Sequence, residues 1–206
     1  FGKGHTFTAD TAAVDSVLKF VGFDKTALNG KILQKQDIRT QFNFSAIAKG
    51  FGCDKVGEML KRNGVSDYIV EIGGEISLSG NAPGRSGWRV AIDKPVESAG
   101  AEHQQGVVVN ITDCGLATSG NYRNFHKEGK NTLGHTISPL TGRPVQTDVI
   151  SATVMAPTCM EADGAATACM AAGSAMAKRL LNDLGYEGML ILADTTVWMS
   201  EGFRKL

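Results

Sequence analysis

Apolar residues recur at helical spacing between Thr8 and Phe20, at Ala12, Ala13, Val17, Leu18 and Phe20, and Gly22 follows as a terminator. The pattern predicts a short first helix. Beyond a turn at Asn29-Gly30, Lys31 to Leu33 and Thr40 to Phe44 read as short strands. Ser45 then reads as the cap of a helix from Ala46 to Arg62 that Asn63-Gly64 stops. Tyr68 to Ile72 reads as a strand broken by Gly73-Gly74. Glu75 to Ser79, Trp88 to Lys94 and Val107 to Thr112 follow as strands joined by Gly-, Pro- and Asn-rich turns, the pattern of an antiparallel meander. The second half predicts a strand at Asp148 to Met155, helices at Met160 to Ala172 and Ser174 to Leu184, and strands at Met189 to Ala193 and Val197 to Ser200. Helices interleaved with mainly antiparallel strands make an α+β fold, not a doubly wound nucleotide fold.

Composition narrows the function classes. A chain of 206 residues with 42% hydrophobic content buries a sizeable core, and we read residues 1–206 as a single domain. Twenty-one Lys plus Arg balance 21 Asp plus Glu, so no net field draws in nucleic acid, and an anionic substrate has to be held by local groups. Cys53, Cys114, Cys159 and Cys169 form no C-x-x-C pair and read as free, largely buried thiols. The start at Phe1-Gly2-Lys3-Gly4, without an initiator Met, sets the expectation of a processed or truncated form.

Five polar segments carry candidate chemistry. In Glu161-Ala162-Asp163-Gly164-Ala165-Ala166-Thr167, a carboxylate and a hydroxyl four residues apart share one helix face. Such a face could hold a hard cation like Mg²⁺, which takes oxygen ligands; a cap followed by a neutral interior residue is the other reading. Asn43 to Gly50 crosses a junction into a helix N-terminus, where unpaired N–H groups can seat a phosphate or merely be capped. Glu71-Ile72-Gly73-Gly74-Glu75 offers glycines for a close backbone approach or for a bulge, and it is not G-x-G-x-x-G. Ala117 to Arg123 reads as a polar turn, and Asn131 to Pro144 as a rigid loop carrying His135. His135 is the best general base of the chain, because imidazole titrates near neutrality and the loop is framed by Gly and Pro. His5, His103 and His126 read as structural or solvated.

The ordered set N-F-S-A-I-A-K-G, E-I-G-G-E-I, A-T-S-G-N-Y-R, G-H-T-I-S-P-L-T-G-R-P and E-A-D-G-A-A-T-A resembles the ApbE family, FAD:protein FMN transferases once described as thiamine biosynthesis lipoproteins. The resemblance runs from Phe1 to the C-terminus. It implies an ApbE-like, T-fold-related architecture with its N-terminal part missing. The implied enzyme depends on Mg²⁺, cleaves the FAD pyrophosphate, moves FMN onto a Thr or Ser of an acceptor protein such as a redox-pump subunit, and releases AMP. It also implies a periplasmic location through a lipid anchor that lies outside this chain.

Carried over residue by residue, the resemblance implies metal binding by Asp163, Thr167 and the carbonyl of Ala46. It implies FAD contacts from Asn43, Lys49 and Ile137, with Gly74 and Ser119 nearby, and His135 as the base for the acceptor hydroxyl. Asn43 and Ser138 stand where family members often carry Asp, and Ala166 where some carry another carboxylate, which implies weaker metal binding. Family members carry roughly a hundred residues ahead of the point that matches Phe1, so the expectation is a FAD pocket completed by an upstream part. A FAD pyrophosphatase releasing FMN and AMP, and a flavin-binding carrier without catalysis, are the alternative functions.

Overall fold

The computed structural model describes residues 11–93, 106–120, 125–128, 131–134, 136–145 and 147–206. In chain order the first half holds α1 (Thr11–Leu18), β1 (Thr26–Asn29), β2 (Ile32–Lys35), α2 (Ala48–Arg62), β3 (Tyr68–Ile72), β4 (Glu75–Ser79), β5 (Trp88–Ile92) and β6 (Val107–Ile111). The second half holds β7 (Cys114–Gly120), β8 (Phe125–Glu128), β9 (Asn131–Gly134), β10 (Val149–Ala156), α3 (Cys159–Ala172), α4 (Ser174–Leu184), β11 (Glu187–Leu192) and β12 (Val197–Met199).

The centre is a six-stranded antiparallel sheet in the spatial order β12-β11-β10-β7-β4-β3. Period-two alternation sends its side chains to opposite faces. Ile76, Leu78, Leu116, Met189 and Ile191 pack on one face against Val90 and Ile92 of β5, Val109 and Ile111 of β6, and Phe203. Ala152, Val154 and Leu190 pack on the other against Ala165, Ala166, Cys169 and Met170 of α3 and Ala177 and Leu181 of α4. The result is three layers: the β5–β6 hairpin, the sheet and the helices. α3 is apolar and small nearly all round because it lies between the sheet and its neighbouring helices. Gly115 of β7 and Gly50 of α2 permit this approach, since a Cβ at either position would collide with the backbone of Cys159 at the start of α3.

The α+β class and most elements of the sequence reading hold, and β3, β4 and α4 have their expected bounds. Several expectations are corrected. The strands from 68 to 112 are not one meander, because β4 pairs with β7 while β5 and β6 form a separate two-stranded sheet. Thr40 to Phe44 is not a strand. The Thr40 carbonyl accepts from Lys35 Nζ, and the Thr40 hydroxyl donates to the carbonyl of Phe20, in place of strand pairing. Ser45 is not a helix cap. α2 starts after Ile47, and the Ser45 N–H is instead turned onto Asn43 Oδ1 at 2.8 Å. Residues 117–120 belong to β7 in mid-sheet, and part of the expected 131–144 loop is the β8–β9 hairpin.

All four cysteines are free, and burial pushes the thiols of Cys114 and Cys169 up to about 11. Among the described residues no helix is long and apolar enough to cross a membrane.

Candidate active site

Among the described residues, three helix N-termini are capped by aspartates from elsewhere in the chain, and one of these caps is a candidate metal ligand. Ile47, at the N-cap of α2, has no side-chain acceptor, so the Gly50 N–H donates to Asp163 Oδ2 of α3 at 3.0 Å. Asp54 of α2 reciprocates, accepting from the N–H groups of Cys159 and Met160 at 2.9 Å each. α3 also has a capping box, in which Thr158 and Glu161 satisfy one another. Asp163 is therefore not the cap of its own helix. It sits a turn inside, only 4% exposed, with a pKa raised by burial and held down in part by the Gly50 N–H and the Lys49 charge.

Thr167 lies one turn beyond Asp163 on the same face, and its hydroxyl is 3.2 Å from Ser119 Oγ on β7. Beside them Lys49 Nζ lies 2.6 Å from Glu75 Oε2. The Glu75 carboxylate is nearly inaccessible, and burial raises its pKa against the opposing pull of Lys49. Its Oε2 accepts no well-aligned hydrogen bond, so the close Lys49 ammonium is its compensation. Gly73, at φ 64°, and Gly74, at φ 100°, form the turn above this pair, in a backbone region that side chains rarely adopt. Ile47, the residue after Ala46, packs its side chain on α3, 3.1 Å from where a Cβ on Gly164 would stand.

The structure thus draws together Lys49, Ser119, Asp163 and Thr167, with the Gly73-Gly74 turn over Lys49 and the residue after Ala46 packed against α3. It does not bring Asn43 into this group: the residue is exposed, with its side-chain oxygen turned to Ser45. Ile137 pairs with Pro144 at the base of a tight loop that packs on α1, where Arg143 Nη2 donates to Thr11 Oγ1 at 2.9 Å. His135 lies outside the described residues. Sequence reasoning assigned no role to Glu75 or Asp54. Period-two parity could have placed Glu75, since Ile76 and Leu78 face the β5–β6 hairpin and Glu75 must face the helices.

The donor set fits a hard cation. Asp163 Oδ1 accepts no hydrogen bond among the described residues, which leaves one oxygen of a buried carboxylate available beside two hydroxyls. No three His, Cys, Asp or Glu side chains converge as a metal cluster among the described residues. A cation here would be held by a carboxylate, hydroxyls, a carbonyl and ligand oxygens, the Mg²⁺ manner.

The ApbE family model matches residues 1–190. A FAD:protein FMN transferase of Vibrio cholerae is 36% identical over 177 residues, covering 84% of this chain and 52% of its own length. The Salmonella typhimurium protein of that name is 34% identical over 178 residues, covering 84% of this chain and 50% of its own. Among solved structures, the flavin transferase ApbE from Vibrio cholerae aligns with TM-score 0.84 at 31% identity, over 98% of this chain and 65% of that one. The apo Pseudomonas stutzeri flavinyl transferase ApbE aligns at 0.85 with 28% identity, over 100% and 63%. The chain spans about half the length of the curated relatives it matches.

Proposed function

The chain belongs to the ApbE family, and from that membership we propose that the protein is a Mg²⁺-dependent FAD:protein FMN transferase acting on a Thr or Ser hydroxyl. The observation that supports it is the convergence of an open-sided buried carboxylate, two hydroxyls and a half-exposed lysine at the N-terminus of α2. Asp163, Thr167 and the Ala46 carbonyl are the residues that would hold the metal. Mg²⁺ bound there supplies neutralisation of charge on the pyrophosphate. Lys49 meets the same anionic group with its ammonium, and Ser119 holds the Thr167 hydroxyl in place.

His135 takes the proton of the acceptor hydroxyl. The acceptor oxygen bonds to the FMN phosphorus, the bond from that phosphorus to the bridging oxygen breaks, and AMP leaves with the electron pair. A periplasmic, lipid-anchored location accompanies this reading as a family expectation, and cell fractionation checks it.

The deciding experiment incubates the full-length gene product with FAD, Mg²⁺ and a candidate acceptor. Fluorescent flavin should remain on the acceptor after a denaturing gel, with AMP released in equal amount. FMN and AMP in solution without labelled protein would replace transfer with pyrophosphate hydrolysis.

A further inference from the structure

We propose that Glu75 is a positioning residue: its buried carboxylate anchors Lys49 so that the ammonium is already aimed at the pyrophosphate of the incoming flavin nucleotide. The proposal rests on the transferase reading above and adds to it a residue that this reading does not use.

Three observations carry it. First, the Glu75 side chain is 3% exposed while that of Lys49 is 48% exposed, so the pair is closed on one side and open on the other. A buried charge repays its desolvation only when its geometry is good and its remaining lone pairs are hydrogen-bonded. Here the acid is buried with an oxygen that lacks an aligned hydrogen bond, and the base faces outward. Second, an ammonium has three N–H donors, and Glu75 engages one side of it. Lys49 has no other ion pair or side-chain hydrogen bond among the described residues, which leaves donors for a ligand. Third, the Lys49 stem runs under the turn, where a Cβ on Gly73 would come within 3.3 Å of Lys49 Cδ and 3.7 Å of Glu75 Oε2. A side chain at this position would press on the stem, so the glycine leaves it room beside the carboxylate.

A free lysine side chain has many rotamers, and ordering it when a ligand arrives weakens binding. Glu75 orders it beforehand. The buried acid therefore acts through Lys49 and needs no contact with the substrate.

The test uses the full-length gene product and its E75Q, K49M and E75Q/K49M variants, with FAD affinity measured by calorimetry in Mg²⁺ without acceptor, and kcat and KM for FAD measured with acceptor. E75Q keeps the side chain's size and removes its charge. It should weaken FAD binding by about two- to tenfold, the weight of one side chain left to be ordered. KM for FAD should rise by more than kcat falls. K49M should weaken FAD binding as well, and adding E75Q to K49M should change nothing further, because the anchor then has nothing to hold. E75D, one methylene shorter, should fall between wild type and E75Q.

FAD affinity in E75Q equal to wild type overturns the inference, as does an E75Q effect that persists in the K49M background. Unchanged affinity in K49M also overturns it, since Lys49 would then serve no ligand. Failure of the unsubstituted protein to bind or turn over FAD at all would instead overturn the transferase reading.

Discussion

At the scale of single residues, Asp163 has an observed capping role and a proposed metal-binding role that one substitution can separate. Its Oδ2 caps α2 through the Gly50 N–H, while its Oδ1 is open to a cation. D163N keeps an acceptor for Gly50 and loses the charge that a hard cation needs. Its thermal midpoint should therefore stay near wild type, while Mg²⁺-dependent FAD cleavage collapses; full activity at limiting Mg²⁺ would remove Asp163 from the metal site. T167A should do less, because a neutral hydroxyl is a weaker ligand than a carboxylate. H135A should slow flavin transfer by roughly 10²–10⁴-fold with little loss of FAD affinity; a variant defective only in FAD binding would end the assignment as a base. Much of this site was legible because its residues lie in compact motifs. The Asp163 and Thr167 pairing follows from helical spacing alone. The cap contributed by Asp163 to α2 was not legible, since it joins positions 113 residues apart.

At the scale of elements, helices start where distant aspartates fix them. α4 begins after Gly173, which has no side chain, and Asp148 accepts from both the N–H and the hydroxyl of Ser174. Those bonds hold the Asp148 carboxyl below its ordinary pKa, the Ser174 hydroxyl contributing most. D148A should then cost about 1 kcal/mol at pH 7, as lost N-caps do. Because the folded pKa is lowered, this stabilisation is complete above the unfolded value of about 3.9 and disappears as pH falls through the folded one. Urea midpoints of wild type and variant should converge in acid, and a gap constant down to pH 2 would contradict the capping role. G115A tests the close approach of β7 to α3. A methyl group would strike the Cys159 backbone, so a loss of about 1–3 kcal/mol is expected from overpacking, read as a lower urea midpoint. β7 also shows why one strand was not legible. Cys114-Gly115-Leu116-Ala117-Thr118-Ser119-Gly120 has the small and polar residues of a turn, yet it pairs with β4 and β10 in mid-sheet. Its small side chains let α3 lie close, and that requirement hides the usual strand pattern.

At the scale of the whole molecule, two parts of the chain are built to different standards. The sheet has a buried core on each face, whereas the β1–β2 hairpin, among the described residues, pairs only with itself and has nearly every residue exposed. Leu28 and Leu33 stand opposite each other across the hairpin. Leu28 is 71% exposed and Leu33 48%, so this pair forms an uncovered apolar face. A lone two-stranded hairpin is marginal in water, and grouped apolar side chains on a surface favour association. The 206-residue chain should therefore self-associate with rising concentration in sedimentation, and the amides of residues 26–35 should exchange hydrogen faster than those of β10. The double variant L28S/L33S removes the apolar pair that shares one face of the hairpin, where packing contributes little. It should suppress association while shifting unfolding free energy by no more than about 0.5 kcal/mol per site, the usual range for exposed positions. A cooperative loss of the whole fold in this variant would show that the hairpin is part of the core. Association that persisted in it would place the contact on another surface.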